Sequence, residues 1–419
     1  MTSSSPTRDA SFKNDGDNNP SKTTTNNDSD SNSENPNKNQ DVLINHNDVI
    51  NVIDLDNEEQ HNDVINDSEE ELLDVETNLE SVDNSLHTFL GHYGPVQAVA
   101  CDYSNAGLIA SGSEDDLVYL WQVGGEDLHL KLQGHTDTVA SLEFSHDGCL
   151  LASGGYDGIV NIWESSTGTL KHKLEGPSGT VEWLQWHPKA HLVLAGLDNF
   201  TAWLWNADEG TSMQVFHGHS GPVTCGGFTP DGKLICTGSE DESLRVWNPR
   251  SGETVHVVQG RHFHCGIITC VGFTDDSSIA MVGAQDAKAS LVKIQTGEVV
   301  GSFTEHLDAV TCGSILSPMP FAATGDLDGR LMIWDMHTFA VRNICEHEGE
   351  VLQCLWSQES QLVYSGCADG KVRVWDHRTG ACERVFHGHT DRIQSLAVAQ
   401  NGRIVISGSD DCSCRVFEV

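Results

Sequence analysis

A segment of about 42 residues recurs along this chain of 419 residues. One clear copy, residues 218–247, reads GHSGPVTCGGFTPDGKLICTGSEDESLRVW and runs from a Gly-His pair to a tryptophan. Two weaker copies begin at Gly176 and Gly260, and eight units in all fill residues 85–419. The remaining clear copies begin with a histidine that follows Gly or Glu: His92, His135, His306, His347 and His389. A fixed period of this length indicates a chain of stacked supersecondary units.

Each unit has the pattern of four short strands. In the copy above, the runs VTCGGF, LICTG and SLRVW, and TVHVV after Trp247, are rich in β-branched and apolar residues. The intervening segments TPDGK (Thr229–Lys233) and SHDG (Ser145–Gly148) are typical of hairpin turns. A four-stranded sheet cannot bury both of its faces alone, whereas eight sheets arranged radially can. We therefore predict an all-β, eight-bladed β-propeller.

The repetition argues against catalysis. His219, Thr237 and Asp241 are residue types found in hydrolytic sites, and they occur within one unit. The same types return at the same places in the other clear copies. Many evenly spaced hydrolytic sites in one chain are implausible, while a repeated structural device is not. We predict that the protein is not an enzyme and that these residues are structural.

The pattern of Gly-His, then Ser/Thr-Gly-x-x-Asp, then Trp-Asp or Trp-Asn resembles the WD40 repeat family. In that family the His, Ser/Thr, Asp and Trp of one repeat form a buried, hydrogen-bonded tetrad. The third, fifth and eighth units depart from the pattern, with Ala195, Val282 and Phe417 at tetrad positions. The resemblance implies five complete tetrads: His92–Ser111–Asp115–Trp121, His135–Ser153–Asp157–Trp163, His219–Thr237–Asp241–Trp247, His306–Thr324–Asp328–Trp334 and His347–Ser365–Asp369–Trp375.

The two ends of the repeat region complete each other. The final run CSCRVFEV reads as a third strand, and SLHTFL (Ser85–Leu90) precedes the first unit as a spare apolar segment. We predict that this segment supplies the missing fourth strand and closes a propeller of residues 85–419, because an open edge invites aggregation. Residues 1–84 are rich in Asn, Asp and Ser, with Phe12 as their one aromatic residue. They are predicted to be a disordered acidic tail.

The charge of the chain restricts its partners. The formal net charge is −39, of which residues 1–84 carry −17 and the repeat region −22. Nucleic acids and anionic membranes repel such a surface, so a basic protein or peptide is the expected partner. No run approaches the ~18 apolar residues of a membrane span. Thirteen scattered cysteines and a polar start indicate reduced thiols, and we expect a monomer in the cytoplasm, with the nucleus as a further location.

The WD40 resemblance also implies where a partner binds. One rim of such a propeller displays the residue before the tetrad Asp and the residues that flank the first apolar position of the inner strand. One base, Arg392, maps to this rim among several acids. The predicted partner-binding residues are Glu114, Glu182, Glu240, Glu350 and Asp410, with Tyr156 and Leu352 beside them. Converging carboxylates attract a basic ligand, and the alternative is a rim that is merely solvated.

The sequence of the repeats, including FHCGIITC after the fourth unit, is similar to that of one WD40 subfamily. It comprises the angio-associated migratory cell proteins and their fungal ribosome-assembly counterparts. That resemblance implies a chaperone that holds the basic segment of a newly made large-subunit ribosomal protein. One alternative is a substrate receptor of a cullin-RING ubiquitin ligase, since WDHR (Trp375–Arg378) matches a receptor signature whose informative residue is Arg378. Another is a general signalling or cell-migration scaffold.

Two short motifs remain. Val52, Ile53 and Leu55 form an apolar cluster among acids, which fits either a SUMO-binding strand or a chance cluster in a tail. RHFHCGIITC (Arg261–Cys270) contains Cys and His residues, but without the spacing of a paired metal site. We interpret it as a degenerate Gly-His turn, and we expect neither a metal nor a cofactor.

Overall fold

The computed structural model describes residues 82–102, 107–124, 129–176, 178–357, 360–399 and 402–419. These residues form eight four-stranded antiparallel sheets and no α-helix, which confirms the predicted eight-bladed propeller.

The first strand, β1 (His87–Phe89), belongs to the last blade. Blades 1 to 4 contain, from inner to outer strand, β2 (Val96–Cys101), β3 (Leu108–Ser113), β4 (Leu117–Gln122), β5 (His129–Gln133), β6 (Val139–Phe144), β7 (Leu150–Gly155), β8 (Ile159–Glu164), β9 (Leu170–Glu175), β10 (Val181–Trp186), β11 (Leu192–Leu197), β12 (Thr201–Asn206), β13 (Thr211–His217), β14 (Cys225–Phe228), β15 (Ile235–Gly238), β16 (Leu244–Trp247) and β17 (Thr254–Val258). Blades 5 to 8 contain β18 (Ile268–Phe273), β19 (Ile279–Ala284), β20 (Lys288–Lys293), β21 (Glu298–Phe303), β22 (Val310–Leu316), β23 (Phe321–Asp326), β24 (Arg330–Asp335), β25 (Ala340–Glu346), β26 (Val351–Trp356), β27 (Leu362–Cys367), β28 (Val372–Asp376), β29 (Cys382–Phe386), β30 (Ile393–Ala399), β31 (Ile404–Ser409) and β32 (Cys414–Glu418).

The sequence of each strand reflects its depth in the blade. Second strands such as β7 (LLASGG) and β31 (IVISGS) are buried along their whole length, because neighbouring blades cover both faces of the sheet. They are therefore continuous apolar and small runs. Outer strands such as β25 (AVRNICE) alternate between exposed and less exposed residues, since one face meets solvent. The inner strands contact one another in sequence, and β30 returns to β2, so the ring is closed.

The glycine of the Ser/Thr-Gly pair allows blades to approach each other closely. A Cβ on Gly154 would lie 2.6 Å from Cγ1 of Val181, the first residue of the next inner strand. A Cβ on Gly238 would lie 2.4 Å from Cγ2 of Ile268 in the next blade. No side chain fits at such distances, since protein interiors have crystal-like packing. This part of the repeat signature is therefore a packing requirement between blades.

The ring is closed by both ends of the propeller. Strand β1 pairs antiparallel with β32, with His87 opposite Val416 and Phe89 opposite Cys414. The contacts start earlier than the predicted boundary at residue 85, because Asp83 forms an ion pair with Arg415. Asn84 also bonds with the backbone of His387, its Oδ1 accepting from the backbone N at 2.8 Å.

Several predictions fall outside this description. The predicted disordered tail, apart from residues 82–84, and the Val52, Ile53 and Leu55 cluster lie outside the described residues. Within the described part, no helix has the length and apolar character needed to cross a membrane.

Candidate functional site

The predicted tetrads of blades 1, 2 and 4 lie at the face where the inner strands begin, which we call the upper face. In blade 4 the carboxylate of Asp241 accepts from Nδ1 of His219 at 3.0 Å. The hydroxyl of Thr237 lies 2.8 Å from Nε2 of His219 and accepts from Nε1 of Trp247 at 2.8 Å. Since Nδ1 carries the proton, the hydroxyl donates to Nε2, and every polar group has a partner. His219 is 8 % exposed, so the set fixes two loops together and opens to no cleft. The same bonds join His92 to Ser111 and Asp115, and His135 to Ser153 and Asp157, with Trp121 and Trp163 donating to the serines.

The acid predicted for the tetrad of blade 6 is wrong. Nδ1 of His306 donates to Asp326 at 2.7 Å, two residues before the predicted Asp328. Asp326 is completely buried, whereas the side chain of Asp328 is 45 % exposed and pairs with Arg330 at 3.2 Å. The His–Thr324–Trp334 part is as predicted in its bonds, at 2.6 and 2.7 Å. Asp326 ends strand β23 and faces inward, so its carboxylate is nearer to the imidazole.

The tetrad of blade 7 also differs from the prediction. Nδ1 of His347 donates to the carbonyl of Cys345 at 3.2 Å, and the predicted Asp369 instead holds the guanidinium of Arg373 at 2.6 Å. Burial, and next the charge of Arg373, lower the pKa of His347 to about 4. The bonds of His347 and Trp375 to Ser365 are present at 2.8 and 2.9 Å. Arg373 thus takes the carboxylate that His347 would otherwise use.

The degenerate units retain more of the device than the repeat pattern indicates. In blade 5 Nδ1 of His264 donates to Asp286 at 2.9 Å, so the segment Arg261–Cys270 supplies a tetrad histidine. The 22-residue separation of this pair, which also separates His219 from Asp241, is the signal that identifies it. In blade 3 the indole nitrogen of Trp205 has no partner among the described residues, as expected from the absence of a hydroxyl at Ala195.

A repeated backbone hydrogen bond places one residue of every blade on the upper face. In seven blades the N–H of the residue after the second strand donates to the carbonyl of the residue just before the inner strand. In blade 4, whose strands are shorter, the equivalent bond runs from Glu240 to Pro222 at 3.0 Å. Eight residues share this position: Glu114, Tyr156, Asp198, Glu240, Gln285, Leu327, Ala368 and Asp410. Asp198 was not among the predicted residues, because the third unit lacks the tetrad pattern that aligns it. Its Oδ1 accepts from the backbone N of Thr180 at 2.8 Å.

Two further acids stand beside this ring, one on an inner strand and one immediately before an inner strand. Glu182 accepts from the hydroxyl of Thr180 at 2.8 Å, and Glu350 forms an ion pair with Arg392. Leu352 lies on the inner strand β26, two residues after Glu350, and is half-buried. We call the six carboxylates of these two groups the acidic mouth: Glu114, Glu182, Asp198, Glu240, Glu350 and Asp410.

The carboxylates of the acidic mouth act on their surroundings. Burial, and then the charges of Glu182 and Glu114, raise the pKa of Tyr156, whose side chain is partly exposed at the same ring. Burial is also the first cause that raises the pKa of Cys412, with nearby carboxylates including Asp410 adding to it. A field that opposes further negative charge favours a cation at this surface.

Comparison with known families decides the kind of protein. The family model described as IFT122 first beta-propeller matches residues 124–376, and the model described as WD domain, G-beta repeat matches residues 83–122 and 380–418. The chain belongs to the WD40-repeat β-propellers. This confirms the resemblance seen in the repeats.

Individual relatives of this WD40 propeller match it over part of their length. The angio-associated migratory cell proteins of Homo sapiens and Canis lupus familiaris are 34 % identical to it over 142 residues, which is 30 % of this chain and 33 % of theirs. The chain thus spans about a third of these curated relatives. The predicted resemblance to this subfamily is confirmed.

Solved structures match the WD40 propeller over more of its length. Sqt1 of Saccharomyces cerevisiae is 21 % identical with a TM-score of 0.74, covering 80 % of this chain and 99 % of that one. Sqt1 of Chaetomium thermophilum, bound to the N-terminus of the ribosomal protein L10, is 22 % identical with a TM-score of 0.75, covering 80 % of this chain and 100 % of that one. At these identities the likeness shows the fold.

Below the acidic mouth, inner-strand residues of the WD40 propeller line a cavity of about 380 Å³. Glu143 reaches into it from blade 2, and its Oε2 accepts from the backbone N of Trp186 at 2.5 Å. Gln185 does the same one blade later, accepting from the backbone N of Phe228 at 2.7 Å. Enclosure by protein raises the pKa of Glu143 to about 8. The side-chain contact between blades 2 and 3 is therefore made by the acid Glu143, and the equivalent contact between blades 3 and 4 by the amide Gln185.

Replacing Glu143 by Gln is expected to stabilise the WD40 propeller increasingly as pH rises. The pKa of Glu143 is about 8 in the folded propeller and 4.5 ordinarily. Between these pH values the folded form binds more protons than the unfolded form, so the propeller loses stability as pH rises from 4.5 to 8. Glu143→Gln removes that loss, and we expect a gain of about 1–3 kcal/mol at pH 8, moderated by water in the cavity, and little change at pH 5. Urea unfolding at both pH values measures it. Gln185→Glu should have the opposite effect, destabilising the propeller more at pH 8 than at pH 5. Equal effects of Glu143→Gln at both pH values would contradict this account.

The predicted ubiquitin-ligase residue lies elsewhere. Arg378 follows the third strand of blade 7, at the face opposite the acidic mouth, and its side chain is 69 % exposed. Its Nε lies 3.1 Å from Asp376, which occupies part of the guanidinium. An adaptor contact through Arg378 stays a prediction.

Proposed function

We propose that this WD40 propeller is a non-catalytic binding scaffold whose acidic mouth holds a basic protein segment. The observation that carries the proposal is the repeated backbone bond that sets Glu114, Asp198, Glu240 and Asp410 on one face. The one base predicted at this rim, Arg392, is already paired with Glu350, so it neutralises a single carboxylate. A ring of this kind attracts cations from a distance and binds guanidinium groups in bidentate pairs at contact.

We propose further that the client is a newly made ribosomal protein of the large subunit, bound in the cytoplasm or nucleus. Support comes from Sqt1, a propeller of the same fold whose structure contains the N-terminus of ribosomal protein L10. An acidic holder suits such a client, because a basic segment made to bind RNA needs a counter-charge before assembly. The similarity to the angio-associated migratory cell proteins is compatible with this role and does not by itself favour a migration scaffold.

Charge reversal at the acidic mouth tests the proposal. Glu240 is exposed on blade 4, and Glu114 is exposed three blades away. We expect Glu240→Lys and Glu114→Lys each to weaken binding of an arginine-rich peptide about 10-fold, and together more, because each replaces an attraction by a repulsion. Isothermal titration calorimetry at 50 mM and 500 mM salt measures the affinity, which should fall steeply with salt.

A matched control lies on the same blade. Glu253 is exposed in the turn after β16, at the opposite face, so Glu253→Lys changes the net charge equally without touching the acidic mouth. It should leave the affinity within about twofold at moderate salt, because screening limits charges beyond a Debye length. Binding that survives both reversals and 500 mM salt would exclude the acidic mouth as the site. A second titration compares the N-terminal segment of ribosomal protein L10 with a scrambled peptide of the same charge. Equal binding of the two would overturn the chaperone proposal and leave only the general binding scaffold.

A further inference from the structure

The face opposite the acidic mouth carries a group of metal-ligand side chains between blades 2 and 3. His146 and Asp147 lie in the hairpin turn between β6 and β7, and His191 immediately precedes β11 of the next blade. One ligand atom from each of the three residues lies within 4.8 Å of the others. Nε2 of His191 is 3.1 Å from Oδ2 of Asp147. Two ligand atoms of a tetrahedral zinc ion are separated by a similar distance, about 3.3 Å.

Both ring nitrogens of His191 face carboxylates. Its Nδ1 faces the carboxylate of Asp208 at 3.0 Å, and its Nε2 faces that of Asp147 at 3.1 Å. A neutral imidazole donates through one nitrogen and presents a lone pair at the other. An imidazolium donates to both carboxylates, whereas a neutral ring whose Nδ1 donates to Asp208 directs the lone pair of Nε2 at Asp147. A cation bridging Nε2 and Asp147 turns this repulsion into coordination.

The ligands are held in place by neighbours. Oδ1 of Asp147 accepts from the hydroxyl of Ser145 at 2.7 Å and from the backbone N of Cys149 at 3.2 Å, which leaves Oδ2 for the cluster. Asp208 is itself anchored by the ammonium of Lys171 at 2.9 Å. A carboxylate that orients a histidine from behind is the usual second layer of a metal site.

We propose that His146, Asp147 and His191 bind a divalent transition metal ion, with Zn²⁺ as the best match to two imidazoles and one carboxylate. Such a set leaves a fourth position for water or a partner's side chain. The ion links the turns of blades 2 and 3 at the face opposite the acidic mouth, so this site is separate from the proposed peptide-binding site. The repeat explains neither histidine, because both lie outside the tetrad positions.

Calorimetric titration of the full chain with ZnCl₂ tests the site. We expect one binding event that is lost or weakened at least 10-fold in His146→Asn and in His191→Asn, and weakened about 10–100-fold in Asp208→Asn, which removes only the supporting carboxylate. His146 is exposed and has a ring contact with His191, so its replacement leaves the fold intact even if that of His191 does not. His256→Asn removes an imidazole on another blade, bonded to the carbonyl of Gln295 at 2.7 Å, and should change nothing.

A second readout does not depend on heat of binding. Zn²⁺ should raise the thermal midpoint of the wild-type chain, since it binds the folded form, and should raise that of His146→Asn less. The proposal is overturned if Zn²⁺ affinity and the thermal shift are the same in wild type, His146→Asn and His191→Asn. It is equally overturned if wild type shows no binding at 100 μM Zn²⁺.

Discussion

Truncating the chain to remove residues 1–90, and with them residues 82–90, will leave the propeller open: we expect the cooperative thermal transition to disappear and the protein to aggregate as its concentration rises. These residues hold β1, which covers the free edge of β32, and the backbone N of Leu86 also donates to Val416 at 2.7 Å. Phe89 adds a buried ring stacked on Trp121, with centroids 4.9 Å apart and planes 2° apart. Without β1 an exposed strand edge and an apolar surface remain.

Single substitutions divide this effect into parts. We expect Phe89→Ala to lower the free energy of unfolding by about 3–5 kcal/mol, the usual cost of deleting a buried aromatic ring. Leu90 is the neighbouring residue but is 75 % exposed, so Leu90→Ala should change the free energy of unfolding by about 0.5 kcal/mol or less. Urea unfolding followed by tryptophan fluorescence measures both.

The deletion itself has its own comparison. A chain that lacks only residues 1–81 should keep the thermal transition, because the composition of that segment predicts no packed core. Size-exclusion chromatography and circular dichroism on the two truncated chains make the comparison. If the chain lacking residues 1–90 melts cooperatively at the wild-type midpoint, closure by β1 is not needed for stability.

The architecture could be predicted because it depends on features that repeat. The period of the Gly-His and Trp positions marks each blade, and the alternation within VTCGGF or TVHVV marks the strands. Strand β1 was predictable for a physical reason, since the last unit lacks one strand and an apolar segment stands unused before the first. The boundary moved from residue 85 to Asp83 because an ion pair with Arg415 has no sequence pattern.

Side-chain partners were less predictable, because an aspartate can reach the same imidazole from more than one position. In blade 7 the carboxylate of Asp369 pairs with the buried Arg373 and not with the predicted partner His347. In blade 3 Asp198 stands on the upper face although its unit lacks a tetrad, because a backbone bond and not the tetrad sets that position. The zinc ligands come from turns of different blades, so only the packing of two blades brings His146 and His191 together.

The tetrad of blade 6 allows the contributions of two competing aspartates, Asp326 and Asp328, to be measured. We expect Asp326→Ala to lower the free energy of unfolding by about 3–5 kcal/mol, because it leaves buried donors of His306 and of the Arg330 backbone without an acceptor. Asp328→Asn removes only an exposed ion pair with Arg330 and should cost about 1 kcal/mol or less. Urea unfolding of the two variants gives the comparison.

A third variant separates the position of the carboxylate from its chemistry. In blade 4 the residue two after Thr237 is Ser239, and Asp241 supplies the acid from the position that Asp328 holds in blade 6. Asp326→Ser restores that arrangement, so Asp328 can turn inward to accept from His306, and the loss should be smaller than for Asp326→Ala. Asp328→Asn should then become costly, by at least about 1 kcal/mol more in the Asp326→Ser background than in wild type, since neighbouring sites are not additive. Equal costs of Asp328→Asn in both backgrounds would mean that the backbone of blade 6 holds Asp328 away from the imidazole, whichever residue occupies position 326.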